Sequence, residues 1–144
     1  MYKEGDIITN LKLETAEGEI IEVGKGKWII LYFYPKDDTP GCTIQAKKFS
    51  ELYEEFDKLN ALIVGVSKDN PERHKKFCQK YGLKVKLVTD KESKIASLFG
   101  VNGKIFFSRD TVIINPLGKV MKIWRKVSPS QNPYDSLNFI KENS

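Results

Sequence analysis

The stretch of sequence that decides the fold is KWIILYFYPKDDTPGCTIQAKKFSELYEEFDKLNALIVGV, residues 27–66. Two continuous apolar runs, at 27–34 and 61–66, are typical of strands that are buried on both faces of a sheet. Between them, residues 40–59 repeat apolar side chains at helical spacing, which predicts one helix. A helix that joins two buried strands forms a βαβ unit, whose handedness favours a parallel pair. This segment therefore predicts an α/β protein built around a parallel pair of strands.

Further elements extend this unit on both sides. The predicted elements are an N-terminal hairpin from 7–13 and 19–23, a helix at 71–81, a strand at 85–89, a short helix at 91–99, strands at 111–115 and 119–126, and a C-terminal helix at 133–142. Their order predicts a three-layer α/β/α sandwich with a mixed sheet, a thioredoxin-like fold. Because no repeat or linker divides the sequence, we expect a single domain over residues 1–144.

Composition places the chain among globular proteins. Its 144 residues are 40% apolar and 30% charged, a balance that excludes a disordered chain. The longest apolar run is far below the roughly 20 residues that cross a bilayer, so we expect no membrane contact. The first residues, MYKEGDIITN, have no apolar stretch of the kind found in signal peptides. The sequence therefore predicts a cytoplasmic protein.

The net charge of +5 raises the question of nucleic-acid binding. Basic residues concentrate between positions 84 and 127, but most of them stand singly between apolar residues, as in KVKLV and KVMKIW. This pattern is typical of the solvated face of a strand. We therefore expect no nucleic-acid partner.

The two cysteines, Cys42 and Cys78, narrow the chemistry further. Two thiols are too few for a disulfide-rich scaffold or for a four-cysteine zinc site. The two cysteines therefore either form a functional pair or act independently. His74 precedes Cys78 by one helical turn, but no third ligand accompanies them, so we predict no metal site. We expect His74 to lie on the surface or on a face of its helix.

Cys42 falls at the start of the predicted long helix, directly after a central strand. If Thr39 is the N-cap and Pro40 the first helical residue, Cys42 is the third residue of the first turn. The helix dipole and the free N–H groups there stabilise an anion, which suits a reactive thiolate. A dithiol reductase would need a second cysteine at position 45, where the chain has Gln45. The alternative is that Cys42 only begins the apolar stripe as a small buried side chain.

The segment FYPKDDTPGCT, residues 33–43, resembles the active-site segment of the peroxiredoxins, specifically of the bacterioferritin comigratory protein or peroxiredoxin Q subfamily. The PxxxTxxC pattern falls on Pro35, Thr39 and Cys42, and Gln45 follows three residues later. The resemblance continues through GVSKDNPERHKKFCQKYGL at 65–83, TDKESKIASLFGV at 89–101 and SRDTVIINPLGKV at 108–120. It covers nearly the whole chain.

This resemblance implies a thiol peroxidase that reduces hydrogen peroxide and organic hydroperoxides without a metal, haem or flavin cofactor. The thiolate of Cys42 would attack one peroxide oxygen and become a sulfenic acid. Arg109 corresponds to the arginine of the family's active site, and its guanidinium would stabilise the developing negative charge. The remaining implied residues are Thr39 as a hydrogen-bonding partner of the peroxide, Pro35 and Pro40 as the walls of the pocket, and Gly41 and Gln45 as further substrate contacts.

The resemblance also gives Cys78 a role. Many members of the subfamily carry a resolving cysteine five residues after the peroxidatic one, where this chain has Lys47. Other members carry it on the next helix, as Cys78 would be, which implies an intramolecular disulfide between Cys42 and Cys78. Forming that disulfide would require both helices to unwind locally. The implied reductant is thioredoxin or a glutaredoxin-like donor.

Other interpretations stay open from the sequence. Cys78 shares a helix face with His74, Phe77 and Tyr81, so it is also interpretable as a structural residue of a one-cysteine peroxidase. A non-catalytic thioredoxin-fold binding module is a further alternative, whereas the missing second thiol disfavours a general thiol–disulfide oxidoreductase. The chain departs from the family pattern at residues 8–11, which read ITNL, and at Asp110 and Val112. We expect a monomer, as is frequent in the subfamily.

Overall fold

The computed structural model describes residues 1–144 and contains seven strands and five helices. The strands are β1 (Lys12–Glu14), β2 (Ile20–Glu22), β3 (Trp28–Phe33), β4 (Ala61–Ser67), β5 (Lys86–Thr89), β6 (Thr111–Ile114) and β7 (Val120–Trp124). The helices are α1 (Pro40–Glu51), α2 (Tyr53–Lys58), α3 (Pro71–Tyr81), α4 (Lys94–Leu98) and α5 (Asn132–Asn143). No helix has both the length and the apolar character that crossing a membrane requires.

The main sheet has five strands in the order β5-β4-β3-β6-β7. β3 lies at its centre, parallel to β4 and antiparallel to β6. β4 and β5 are also parallel, whereas β6 and β7 are antiparallel. β1 and β2 form a separate antiparallel hairpin. The predicted mixed sheet, central parallel pair and N-terminal hairpin are therefore confirmed.

Both faces of β3 are buried because alternate side chains enter two different cores. One face packs against α1, α2, α3 and α5 through residues that include Phe49, Phe56, Phe77 and Ile140. The other face packs against the hairpin and the segment around α4, through residues that include Leu13 and Phe99. This arrangement gives the three predicted layers and leaves the carboxyl end of β3 open to the loop that precedes α1.

The predicted single helix over 40–59 is wrong in one respect, because it is interrupted at Leu52. The amide of Leu52 is shared between the carbonyl oxygens of Lys48 and Phe49, which tightens the turn. Two residues earlier, the Ser50 hydroxyl donates to the carbonyl oxygen of Ala46 at 2.8 Å, a bond that often bends helices. The apolar spacing continues across the break, which is why the sequence pattern does not reveal it.

The helix that carries Cys78 begins and ends where the sequence predicts. The Asn70 side chain accepts a hydrogen bond from the Arg73 amide at 2.9 Å, and Pro71 occupies the first helical position. At the other end, Gly82 adopts the left-handed conformation that closes the helix. By contrast, the predicted helix at 91–99 is shorter, because Ser93 at its start is itself left-handed.

Candidate active site

Cys42 lies in the first turn of α1, directly beyond the carboxyl end of β3, and is 1% exposed. Thr39 has the extended backbone of an N-cap residue and Pro40 begins the helix, as predicted. Thr43 donates the first helical bond, to the Thr39 carbonyl oxygen, so the amides of Gly41 and Cys42 remain free. The sulfur is therefore buried beside unpaired N–H donors at the positive end of a helix dipole.

The side chain of Thr39 does not cap this helix. Its hydroxyl instead donates to the carbonyl oxygen of Lys36 at 2.8 Å. Pro35 is half-buried where β3 ends, whereas Pro40 is exposed. The structure thus places Pro35, Thr39 and Pro40 along the loop that leads into Cys42, with Thr39 half-buried and its hydroxyl turned towards the loop backbone.

Arg109 reaches the sulfur from the segment before β6. Its Nη1 lies 3.5 Å from Cys42 Sγ and donates to Gln45 Oε1 at 2.9 Å. The guanidinium also packs on Gly41, since a Cβ atom there would be 2.9 Å from Arg109 Nη2. Behind the side chain, the Arg109 carbonyl oxygen accepts from the amide of Val127 at 2.8 Å. A cation is thereby fixed against the Cys42 thiol, although 67 residues separate the two in sequence.

Gln45 lies behind the guanidinium and is fully buried. Its Nε2 donates to Asn132 Oδ1 at 3.0 Å, and the Thr111 hydroxyl donates to the same oxygen at 3.0 Å. Because Asn132 accepts both bonds, Gln45 must present its oxygen to Arg109. Arg109 therefore contacts both of the predicted residues Cys42 and Gln45, and Gln45 orients the arginine.

Asn132 is a functional candidate that sequence reasoning missed. It begins α5, where the preceding SPSQ segment and the following Pro133 indicate only the start of a helix. Its contact with Gln45 spans 87 residues, so no local pattern reveals it. Its Nδ2, like the hydroxyl of Ser136 one turn later, is buried without a partner.

His74 lies on a face of α3, as predicted, but that face is buried and the residue has no exposed surface, so the alternative prediction of a surface position is wrong. Its Nδ1 is 2.7 Å from Asp37 Oδ2, and its Nε2 is 3.2 Å from the carbonyl oxygen of Val88. Asp37 is 2% exposed and also accepts from the Tyr34 hydroxyl at 2.5 Å. His74 can be buried because Asp37, 37 positions away in the sequence, supplies a hydrogen-bond partner for its ring in the core.

The loop that carries Cys42 is tied to its neighbours at two further points. The amide of Asp37 donates to Asp69 Oδ2 at 2.8 Å. Burial acts to raise the pKa of Asp69, but the hydrogen bonds from the Asp37 amide, Ser67 and Arg73 outweigh burial and lower that pKa.

The second tie is at the surface. The Asp38 carboxylate accepts from Lys80 Nζ at 2.8 Å and from the Tyr81 hydroxyl at 2.6 Å. These two hydrogen bonds, from Lys80 first, lower the pKa of Asp38. The loop before α1 is therefore joined to α3 by one buried contact, Asp37 to His74, and by this exposed one.

Cys78 lies on α3, is half-buried and carries a free thiol, as Cys42 does. It lines an open groove of about 710 Å³ between α3 and the turn of the N-terminal hairpin. Burial raises the pKa of the Cys78 thiol to about 11, with further contributions from the negative charges of Asp37 and Glu17. Its surroundings therefore favour the neutral thiol.

Tyr32 lies beneath both cysteines. Its ring stacks on Phe49 with centroids 4.7 Å apart, and its hydroxyl is buried above Gly65 with no hydrogen-bond partner. Burial raises the pKa of Tyr32 well above its usual range, and thiolates at Cys78 and Cys42 raise it further. The hydroxyl is therefore within electrostatic reach of both sulfur atoms.

Known proteins are similar to this chain in sequence and in fold. The model of the AhpC/TSA family matches residues 5–123. Peroxiredoxin Bcp from Bacillus subtilis (strain 168) is 39% identical over 150 residues, covering 97% of this chain and 96% of that protein.

Solved structures agree with this similarity. A cysteine-to-serine mutant of Xylella fastidiosa PrxQ matches with a TM-score of 0.91 and 29% identity, covering 99% of this chain and 98% of that one. A Xanthomonas campestris bacterioferritin comigratory protein, solved for its alkyl peroxide reduction activity, matches with a TM-score of 0.86 and 31% identity, covering 96% of this chain and 99% of that one. The chain therefore belongs to the AhpC/TSA family of peroxiredoxins, with Bcp and peroxiredoxin Q proteins as its relatives.

Proposed function

We propose that this chain is a two-cysteine peroxidase in which Cys42 reduces the peroxide and Cys78 resolves the oxidised product. Membership of the peroxiredoxins implies thiol peroxidase activity, and the contact between Arg109 Nη1 and Cys42 Sγ is the observation that carries the assignment of the site. The substrates are hydrogen peroxide and organic hydroperoxides, the second class supported by the alkyl peroxide reduction named for the Xanthomonas campestris relative.

In the first step, the Cys42 thiolate attacks the nearer peroxide oxygen. The S–O bond forms as the O–O bond breaks, and the distant oxygen leaves as water or alcohol after taking a proton. Negative charge spreads from the sulfur onto both oxygens in the transition state. The guanidinium of Arg109 and the free amides of Gly41 and Cys42 are fixed where this charge develops, so they stabilise the transition state more than the ground state.

The loop residues shape this site. Pro35 and Pro40 border the approach to the sulfur, and the Thr39 hydroxyl turns from Lys36 to the bound peroxide. Gln45 acts through Arg109, because its amide oxygen faces the guanidinium from the buried side. No cofactor takes part, since the thiolate supplies both electrons.

In the second step, Cys78 attacks the sulfenic sulfur of Cys42, and a disulfide forms as hydroxide leaves. The spacing of the two cysteines supports this pairing. Two solved mutants of Xanthomonas campestris peroxiredoxin Q replace cysteines that are also 36 positions apart. Because Cys42 is buried in α1 and Cys78 half-buried in α3, local unwinding of both helix segments accompanies the step.

Thioredoxin or a glutaredoxin-like dithiol returns the disulfide to two thiols. The protein works in the cytoplasm as a monomer, without nucleic-acid or membrane partners.

Peroxide consumption in the presence of a dithiol reductant tests this proposal. Cys42→Ser is expected to abolish consumption, and unchanged consumption would rule out the peroxidase assignment. Cys78→Ser is expected to retain the first step but to lose turnover with thioredoxin. Full turnover of Cys78→Ser would instead indicate a one-cysteine peroxidase, in which the half-buried Cys78 is a structural residue.

The intact mass after one equivalent of peroxide gives an independent measurement. A loss of the mass of two hydrogen atoms indicates the disulfide, whereas a gain of one oxygen atom indicates a stable sulfenic acid. The Cys78→Ser variant serves as the control, since it is expected to gain the oxygen.

A further inference from the structure

Asp37 belongs to the segment that carries Cys42, yet its carboxylate lies against the helix that carries Cys78. One carboxylate oxygen is 2.7 Å from His74 Nδ1, and the other accepts the Tyr34 hydroxyl at 2.5 Å. Both Asp37 and His74 are almost completely buried, so water does not screen the contact. The carboxylate is therefore held in one position between β3 and α3.

Cys78 follows His74 by four residues, which makes their side chains neighbours on one face of α3. The carboxylate that contacts His74 therefore meets α3 one helical turn before Cys78, on the helix face that Cys78 shares. A second carboxylate, that of Glu17 on the hairpin, lines the same groove as the thiol, and Tyr32 on β3 carries a buried hydroxyl whose pKa a Cys78 thiolate would raise. The other charged or titratable groups that line this groove are Glu19, Tyr53, Lys75, Lys84 and Lys86.

These surroundings suppress the reactive form of Cys78. Burial first, and then the charges of Asp37 and Glu17, raise its thiol pKa from 9.0 to about 11. At pH 7 about one thiol in 10,000 is then ionised, compared with about one in 100 at the usual value. Only the thiolate is a nucleophile, so Cys78 is chemically quiet while α3 and the loop before α1 are folded.

We propose that Asp37 is a positioning residue that keeps Cys78 unreactive for as long as the Cys42 segment is folded. When that segment unwinds, Asp37 moves away together with Cys42, and the carboxylate no longer opposes ionisation of Cys78. This inference rests on the proposed function of Cys78 as the resolving cysteine.

This control of Cys78 by Asp37 assigns an order to the events of the second step. Opening of the loop exposes the Cys42 sulfenic acid and removes the negative charge from Cys78 in a single movement. The Cys78 thiolate then attacks the Cys42 sulfur, the S–S bond forms, the S–O bond breaks, and hydroxide leaves to become water with the proton that Cys78 released. Until then, peroxide oxidises Cys42 and leaves Cys78 unmodified.

Alkylation by iodoacetamide measures the reactivity of Cys78 directly. In a Cys42→Ser background Cys78 is the only thiol, so the alkylation rate reports on it alone, and no peroxide or reductant is needed. We expect Asp37→Asn to raise the rate at pH 8 by about three- to tenfold and to move the pH midpoint of alkylation downwards. Asp90→Asn is the matched control, because it removes another buried carboxylate, one that accepts from the amides of Ile95 and Ala96 and makes no hydrogen bond to α3, and it is expected to leave both values unchanged.

His74→Gln separates charge from loosening of the fold. It breaks the same buried contact but keeps the Asp37 carboxylate, so we expect alkylation no faster than in the Cys42→Ser parent. If His74→Gln accelerates alkylation as much as Asp37→Asn does, loosening of α3 explains both effects and the proposal is overturned. An Asp37→Asn rate equal to that of the parent overturns it as well.

The resolving role of Cys78 and the effect of Asp37 on its thiol are tested by different assays. Turnover of Cys78→Ser with thioredoxin tests whether Cys78 resolves the sulfenic acid. The alkylation series tests whether Asp37 controls the Cys78 thiol, whatever the result of the turnover assay.

Discussion

The two cysteines of this chain occupy surroundings of opposite charge. Cys42 is almost fully buried at a helix N-terminus and contacts the Arg109 guanidinium at 3.5 Å. Cys78 is half-buried within a helix, and burial, followed by the negative charges of Asp37 and Glu17, raises its pKa to about 11. The more buried sulfur is therefore the one in contact with a cation, so the two thiols differ in the charge of their surroundings as well as in exposure.

Removing the Arg109 guanidinium should remove most of the difference in charge between the surroundings of Cys42 and those of Cys78. Arg109→Met is expected to lower the second-order rate constant for hydrogen peroxide by about 100- to 1,000-fold, because a fixed donor to the developing charge is lost. Stopped-flow or competition kinetics with hydrogen peroxide measure this constant. Lys122→Met removes a positive charge elsewhere in the basic region and is the matched control. An equal loss in both variants would mean that general charge, and not the contact with Cys42, is responsible.

Gly41→Ala tests the position of the Arg109 guanidinium beside Cys42 without removing its charge. The new Cβ atom would be 2.9 Å from Arg109 Nη2, which lies at the free end of a flexible side chain and can move away. We expect the rate constant to fall by about ten- to 100-fold. The melting temperature should stay the same or rise slightly, since alanine favours a helix more than glycine does. A large fall in melting temperature would show that the backbone, and not the guanidinium, gives way.

Asn132→Leu tests whether the orientation of Arg109 depends on the buried amides behind it. Without Asn132 Oδ1, Gln45 is free to turn its oxygen away from the guanidinium, so we expect about a tenfold lower rate constant for hydrogen peroxide. Ser136→Ala, one turn further along the same face of α5, is the control. Its hydroxyl has no partner, so the substitution should leave the rate unchanged and the stability equal or greater.

The smallest expected effect concerns Asp69, whose carboxylate accepts the Asp37 amide and so fixes the loop before α1. The pKa of Asp69 is lowered in the fold, so its carboxylate adds stability above its usual pKa of 3.8, and this contribution is lost as the pH falls through the lower folded value. We expect Asp69→Asn to lower the free energy of unfolding by about 1 to 2 kcal/mol at pH 7. Urea unfolding at several pH values should show this difference shrinking below pH 3.8.

Asp57→Asn is the control for that series, because the exposed Asp57 side chain makes no hydrogen bond in the structure. A pH-independent difference for Asp69→Asn would contradict the assignment, since it would mean that shape and not charge is responsible.

Local signals in the sequence predict the fold and the position of Cys42. The apolar runs of β3 and β4 and the pair Thr39-Pro40 each act within a few residues, so they are readable without a structure. The contact of Arg109 with Cys42 joins the segment before β6 to the first turn of α1, 67 residues apart. Within the sequence, only the resemblance to a family indicates it.

The features that sequence reasoning missed depend on long-range partners. His74 stands among lysines in RHKK, which suggests a solvated face, and only Asp37 from another element makes its burial favourable. Asn132 similarly acquires its role from Gln45. The break at Leu52 was missed for a different reason, because apolar spacing reports which face is buried and not whether the backbone is continuous.

The central position of β3 has a consequence for how the protein becomes active. β3 pairs with β4 soon after it in the chain, but its other edge stays open until β6 arrives about 80 residues later. Pairing of strands so distant in sequence is slow, because a long loop must close before any contact forms. Arg109 directly precedes β6, so its guanidinium meets Cys42 only when this last central strand inserts. The site at Cys42 is therefore complete only once β6 has paired with β3.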